Sequence, residues 1–169
     1  MTSPSLLEDA FGRVSGIVQR VVKGLGPEQL SFRTDDETNS IAWLVWHLTR
    51  IQDDHIAGVA GTEQVYTSDG WADRFALPFK ESDTGYGHSS DEVTAVRVES
   101  GELLTGYHDA VFGQTLRFVK PLTDDDLARI VDESWDPPVT LSVRLVSVIS
   151  DNLQHAGQAA FVRGIIDRR

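Results

Sequence analysis

The sequence predicts an all-α fold: a bundle of four long helices, with a long loop between the second and the third. Three observations carry this. Four long stretches repeat apolar side chains at gaps of three and four, the period of a helix buried on one side. Each stretch is bounded by hydroxyl, glycine or proline residues of the kinds that start and stop helices. No internal repeat, low-complexity tract or linker interrupts the 169 residues, so one domain over residues 1–169 is expected.

The first helix is predicted from about Ser5 to Lys23, with apolar residues Leu6, Leu7, Phe11, Val14, Ile17, Val18, Val21 and Val22 at amphipathic spacing. Ser3 and Pro4 suit its start, and the run from Gly24 to Pro27 stops it. Residues 28–37 read as polar and irregular. Thr38, Asn39 and Ser40 are candidate caps for a second helix that runs from Ser40 to about Ala60 and closes at Gly61. Its apolar face holds Ile41, Leu44, Val45, Leu48 and Ile51, widened by Trp43 and Trp46, and His47 points inward on that face. Asp54 follows His47 by two turns on the same face, whereas His55 is rotated off it by about 80°.

Residues 62–90 form the long loop. Its aromatics, Trp71, Phe75, Phe79 and Tyr86, imply that it is ordered against the bundle, as a lid or as a packed connection. The run from Ser89 to Glu92 starts a third helix, predicted to continue to about Val119 before Lys120 and Pro121. Thr123 to Leu127 reads as a short capped turn. The stretch around Pro137 and Pro138 excludes helix, and a hairpin or irregular crossing is expected there. The fourth helix starts at Thr140 or Ser142 and runs to about Ile166, with Leu145, Val148, Ile149, His155, Ala159 and Val162 inward.

Composition excludes several classes. The 15 Lys and Arg against 26 Asp and Glu give a formal charge of -11, which repels a phosphate backbone and argues against nucleic-acid binding. The absence of cysteine excludes disulfides, thiolate metal sites and a cysteine nucleophile. Acids near the N-terminus occupy the place where a signal peptide needs basic and apolar runs, and no stretch is long enough to span a membrane. A cytoplasmic protein without membrane contact is expected.

Chemistry concentrates in the stretch from Asp151 to Gln158 (DNLQHAGQ). Asp151 and His155 are four residues apart, which stacks a carboxylate and an imidazole about 6 Å apart on one helix face. Such a pair can fill two positions on a metal ion, with His47 from the second helix as the third ligand. Two histidines and one carboxylate suit zinc, nickel or iron(II) and leave room for water or substrate. The same spacing also fits a buried histidine bonded to an acid, and His47 also fits an ordinary core imidazole. Asp54 is a candidate support for His47 or a solvated acid, and His88 a candidate lid residue. His108 is expected at the surface. Gln158 is placed to bond a ligand or to pack, and Gly157 to allow close helix approach. No nucleophile elbow surrounds a serine, so serine hydrolysis is rejected.

The run from Asn39 to Leu48 (NSIAWLVWHL), together with DNLQHAGQ, resembles the DinB-like superfamily, which includes bacillithiol S-transferases and mycothiol-dependent maleylpyruvate isomerases. The resemblance extends loosely over nearly the whole chain. It implies a four-helix bundle holding a divalent metal by one histidine of the second helix and two ligands of the fourth, here His47, Asp151 and His155. Many members carry histidine where this chain has Asp151. The isomerase branch carries glutamate there and adds a C-terminal domain for which this chain is expected to have no room. The activity implied is S-transfer from a low-molecular-weight thiol of mycothiol type to a small electrophile, with zinc as the expected metal; a homodimer is one assembly it allows. A non-catalytic or dimerising bundle and a metal-assisted hydrolase fit the same residues.

Overall fold

A computed structural model describes residues 2–169. The four expected long helices are α1 (Ser3–Val22), α3 (Ile41–Ala60), α7 (Gly101–Val119) and α9 (Leu141–Ile166). Shorter elements join them: α2 (Pro27–Leu30), α4 (Val65–Ser68), α5 (Trp71–Phe75), α6 (Ser90–Ala95), α8 (Asp124–Ala128), and an antiparallel pair of strands β1 (Ile130–Asp132) and β2 (Val139–Thr140). The fold is all-α with one small hairpin. Helices α1 and α3 lie across a diagonal, each packed on both α7 and α9, and the α3–α9 contact is the most extensive.

The helix ends follow side-chain capping. The Ser40 hydroxyl accepts the Trp43 N–H at 3.1 Å, and Gly61 closes α3 in the left-handed region at φ 69°. Thr140, one of the two candidates, caps α9 by accepting the Val143 N–H. Thr2 rather than Ser3 caps α1 and shares a reciprocal pair of bonds with Ser5.

Two expectations fail. The third helix is broken: α6 ends at Ala95 and α7 begins at Gly101. Between them Val96 and Val98 are buried while Arg97 and Glu99 are exposed. That alternation is the period of extended chain, which a helix cannot present. Residues 28–37 are not wholly polar and irregular either. They include most of α2, whose Leu30 is fully buried.

Helix α3 decides the rest of the architecture. Every residue from Ile41 to Arg50 is buried, so the helix needs cover on all sides. The 62–90 segment supplies it, with Trp71, Phe75, Leu77 and Phe79 packed onto the core. Arg50 ties it down: its guanidinium donates to the Glu81 carbonyl at 2.9 Å, the Asp83 carbonyl at 3.0 Å and Gln64 Oε1 at 2.8 Å. Asp53 accepts the Val65 and Tyr66 N–H groups at 2.9 and 2.8 Å and the Tyr107 hydroxyl at 2.8 Å. The segment is thus ordered and packed over the bundle, as its aromatics implied.

Below this layer α3, α7 and α9 share a buried polar strip. Gln52 donates to the Thr115 hydroxyl and accepts from the Asn152 amide, at 2.8 and 2.7 Å. His108, expected at the surface, is fully buried there, 3.1 Å from the Thr49 hydroxyl. Thr49 spends its own proton on the Val45 carbonyl, so His108 Nδ1 is the donor of that bond. Burial lowers the His108 pKa to about 4.

Candidate metal centre

His47 of α3 and Asp151 and His155 of α9 come together across the most extensive helix contact. One ligand atom from each lies within 4.8 Å of the other two, and they are the only such acidic or histidine group among the described residues. The imidazoles meet edge to face with centroids 4.7 Å apart, and His155 Nε2 lies 3.5 Å from Asp151 Oδ1. His47 is buried; His155 and Asp151 are half-buried and border solvent.

Each imidazole is aimed by a partner on its far nitrogen. His47 Nδ1 lies 2.5 Å from the Thr84 carbonyl, an oxygen that only accepts, so Nδ1 holds the proton and Nε2 holds the lone pair. Trp43 stacks on the same ring at 4.5 Å and 15°. His155 Nδ1 bonds Gln158 Oε1 at 2.9 Å, which leaves its Nε2 toward Asp151. Oδ2 of Asp151 is buried and has no hydrogen-bond partner. Three lone-pair donors therefore converge with no N–H or O–H directed between them. This fits a divalent cation, and a second partner on each ring is how ligating histidines are held.

The two imidazoles shift in opposite directions. Burial lowers the His47 pKa more than its neighbours restore it. For His155, burial lowers the pKa, but bonds to Asp151 and Gln158 outweigh it and the net shift is upward.

The remaining candidates lie elsewhere. Asp54 does not support His47; it accepts from Gln64 at 2.8 Å, and the backbone of the 62–90 segment orients the imidazole instead. His88 accepts the Trp43 indole N–H at 3.1 Å on Nδ1, so its Nε2 is the nitrogen that donates to Asp83, also at 3.1 Å. His88 is thus a clamp within the cover. Gln158 bonds a ring of the site. Gly157 does not serve close helix approach, because a Cβ there meets nothing within 4 Å.

Two features went unread in the sequence. Gly85 sits at φ 88°, and a Cβ on it would lie 2.9 Å from His47 Nδ1 and 2.9 Å from the Trp46 ring. Only glycine lets the chain pass this close with Thr84 in place; the two glycines around Tyr86 were the available signal. His55, rotated off the His47 face, accepts from Arg144 at 3.3 Å, and Arg144 also donates to Asp132 at 2.8 Å.

A family model described as mycothiol-S-transferase matches residues 6–168. Among solved structures, the chain is similar to a crystal structure of a conserved protein from Enterococcus faecalis. The TM-score is 0.92 at 26% identity, over 100% of this chain and 99% of that one. No curated protein matches the chain significantly.

Proposed function

The chain belongs to the mycothiol-S-transferase family, and from that premise we propose that it is a metal-dependent thiol S-transferase with His47, Asp151 and His155 as the ligands. The observation that carries this is the convergence of three lone-pair donors on one point, with Asp151 Oδ2 unpartnered. A bound divalent metal, zinc in this reading, supplies positive charge that lowers the pKa of a thiol so that its sulfur is anionic at neutral pH.

The chain's own residues do the rest. Thr84 and Trp43 hold the His47 ring, and Gln158 holds the His155 ring, so both Nε2 lone pairs are placed before anything binds. Asp151 brings only one negative charge, so a divalent ion there keeps a net positive charge for an anionic sulfur. The chain has no cysteine, so the attacking sulfur is the co-substrate's. The buried indole of Trp43 and the packed 62–90 segment keep water from the His47 side.

The test is zinc content by elemental analysis, together with conjugation of mycothiol to an electrophile such as monobromobimane. Wild type should carry one metal per chain and conjugate. His155→Ala should lose both. Conjugation that persists in the metal-free variant would overturn the proposal, and hydrolysis of test esters without thiol consumption would favour the hydrolase. A second reading draws on Val143, Val146 and Leu153, exposed along one side of α9: a bundle that pairs with a second copy. Sedimentation of the metal-free protein tests it separately.

A further inference from the structure

A groove of about 510 Å³ runs between residues 34–39 and the last turns of α9, beside the metal centre but outside it. Leu44 and Val162 give it an apolar floor, and Phe161 stands at its edge with 69% of its surface exposed. Thr38 and Asn39 line one side and Gln158 the other, with Glu37 as its one carboxylate. No lysine or arginine lines it. Gly157 borders it, and the missing side chain leaves it open.

This lining selects a class of occupant. Without a cation, it offers an anionic group no opposite charge, and Glu37 would repel one. Amide and hydroxyl side chains both donate and accept, as the hydroxyls of a polyol do. A carboxylate accepts strongly from a hydroxyl, and an exposed aromatic ring can cover the C–H face of a sugar. The position fits too. Leu44 lies one turn before His47 and Gln158 about one turn after His155, so the groove opens roughly 5 Å from the two imidazoles. Gln158 joins the two sites: its oxygen holds His155 Nδ1, and its N–H groups are what it offers the groove.

We propose that this groove is the subsite for the sugar–cyclitol tail of the thiol co-substrate, with the cysteine end reaching the metal centre. The inference rests on the thiol-transfer reading above. It makes Gly157 and Phe161 determinants of thiol choice rather than of reaction chemistry.

Gly157→Leu tests it, because leucine fills the groove and is the better helix former. The metal-loaded protein is assayed with mycothiol and with N-acetylcysteine, which has the same sulfur but no sugar. The variant should raise the KM for mycothiol roughly tenfold with kcat kept, and leave N-acetylcysteine kinetics unchanged. Independently of turnover, titration of thiol-free glucosaminyl-inositol into metal-free wild type should shift the Asn39 and Gln158 side-chain amide resonances, and should not in the variant. Equal changes for both thiols, no change for either, or unmoved resonances in wild type would overturn the subsite while wild-type conjugation leaves the transferase reading standing. A wild type that conjugates no thiol overturns both.

Discussion

Two polar clusters share helix α3 and treat their lone pairs in opposite ways. Around Arg50 and Asp53 charge meets charge: Asp53 accepts from two backbone N–H groups and a tyrosine hydroxyl, with the guanidinium 3.6 Å away. One turn earlier, His47 sends its single proton outward to Thr84 and turns its lone pair toward Asp151 and His155. Both clusters are polar; Arg50, Asp53 and His47 are almost wholly removed from water, whereas Asp151 and His155 border it. Polarity therefore does not separate scaffold from site here, and neither does the burial of His47 by itself. What separates them is whether acceptors find donors within the chain or converge on a common point.

Breaking the self-satisfied cluster should cost most. Asp53→Ala leaves Arg50 buried without its carboxylate and frees the Val65 and Tyr66 N–H groups. Urea unfolding should show a loss of about 3–5 kcal/mol. A loss under about 1 kcal/mol would mean that the pair contributes little to the scaffold.

The next effect is a pH dependence of the buried strip. Burial holds folded His108 at about 4, whereas the unfolded chain titrates near 6.5. The unfolded state binds more protons between those values, so the contribution is complete above pH 6.5 and is lost as pH falls toward 4. It amounts to about 3 kcal/mol. Stability measured against pH should be flatter over this window in His108→Gln than in wild type; identical slopes would refute the assignment.

Gly85→Ala strikes the link between the two regions. A Cβ at φ 88°, 2.9 Å from His47 Nδ1, must move the Thr84 carbonyl or the ring. If the proposed metal centre binds zinc, its affinity should drop roughly 10- to 100-fold, the usual cost of losing a group that orients a ligand. Unchanged affinity by competition with a chelating dye would free His47 from the covering segment.

The smallest effect sharpens the contrast most. In metal-free protein, His155→Ala should change unfolding stability by no more than about 0.5 kcal/mol, because the ring is half-buried and its bonds to Asp151 and Gln158 lie at the solvent border. A loss of several kcal/mol would move His155 into the scaffold.

The sequence by itself determined the local geometry. Ser40, Gly61 and Thr140 set helix ends through hydrogen bonds with neighbours in the chain, and period alone marked four long helices. The spacing of Asp151 and His155 put them on one face for the same reason. Tertiary structure decided everything that depends on where another element lies. Asp53 and Asp54 differ by one residue, about 100° of helix, and only the positions of α4 and Tyr107 make Asp53 the buried partner. His108 is internal because Thr49 of another helix accepts its proton. The Thr84 carbonyl belongs to the backbone, which every residue has, so no side-chain pattern announced it. Spacing along one helix is a property of the chain; convergence between helices is a property of how they cross.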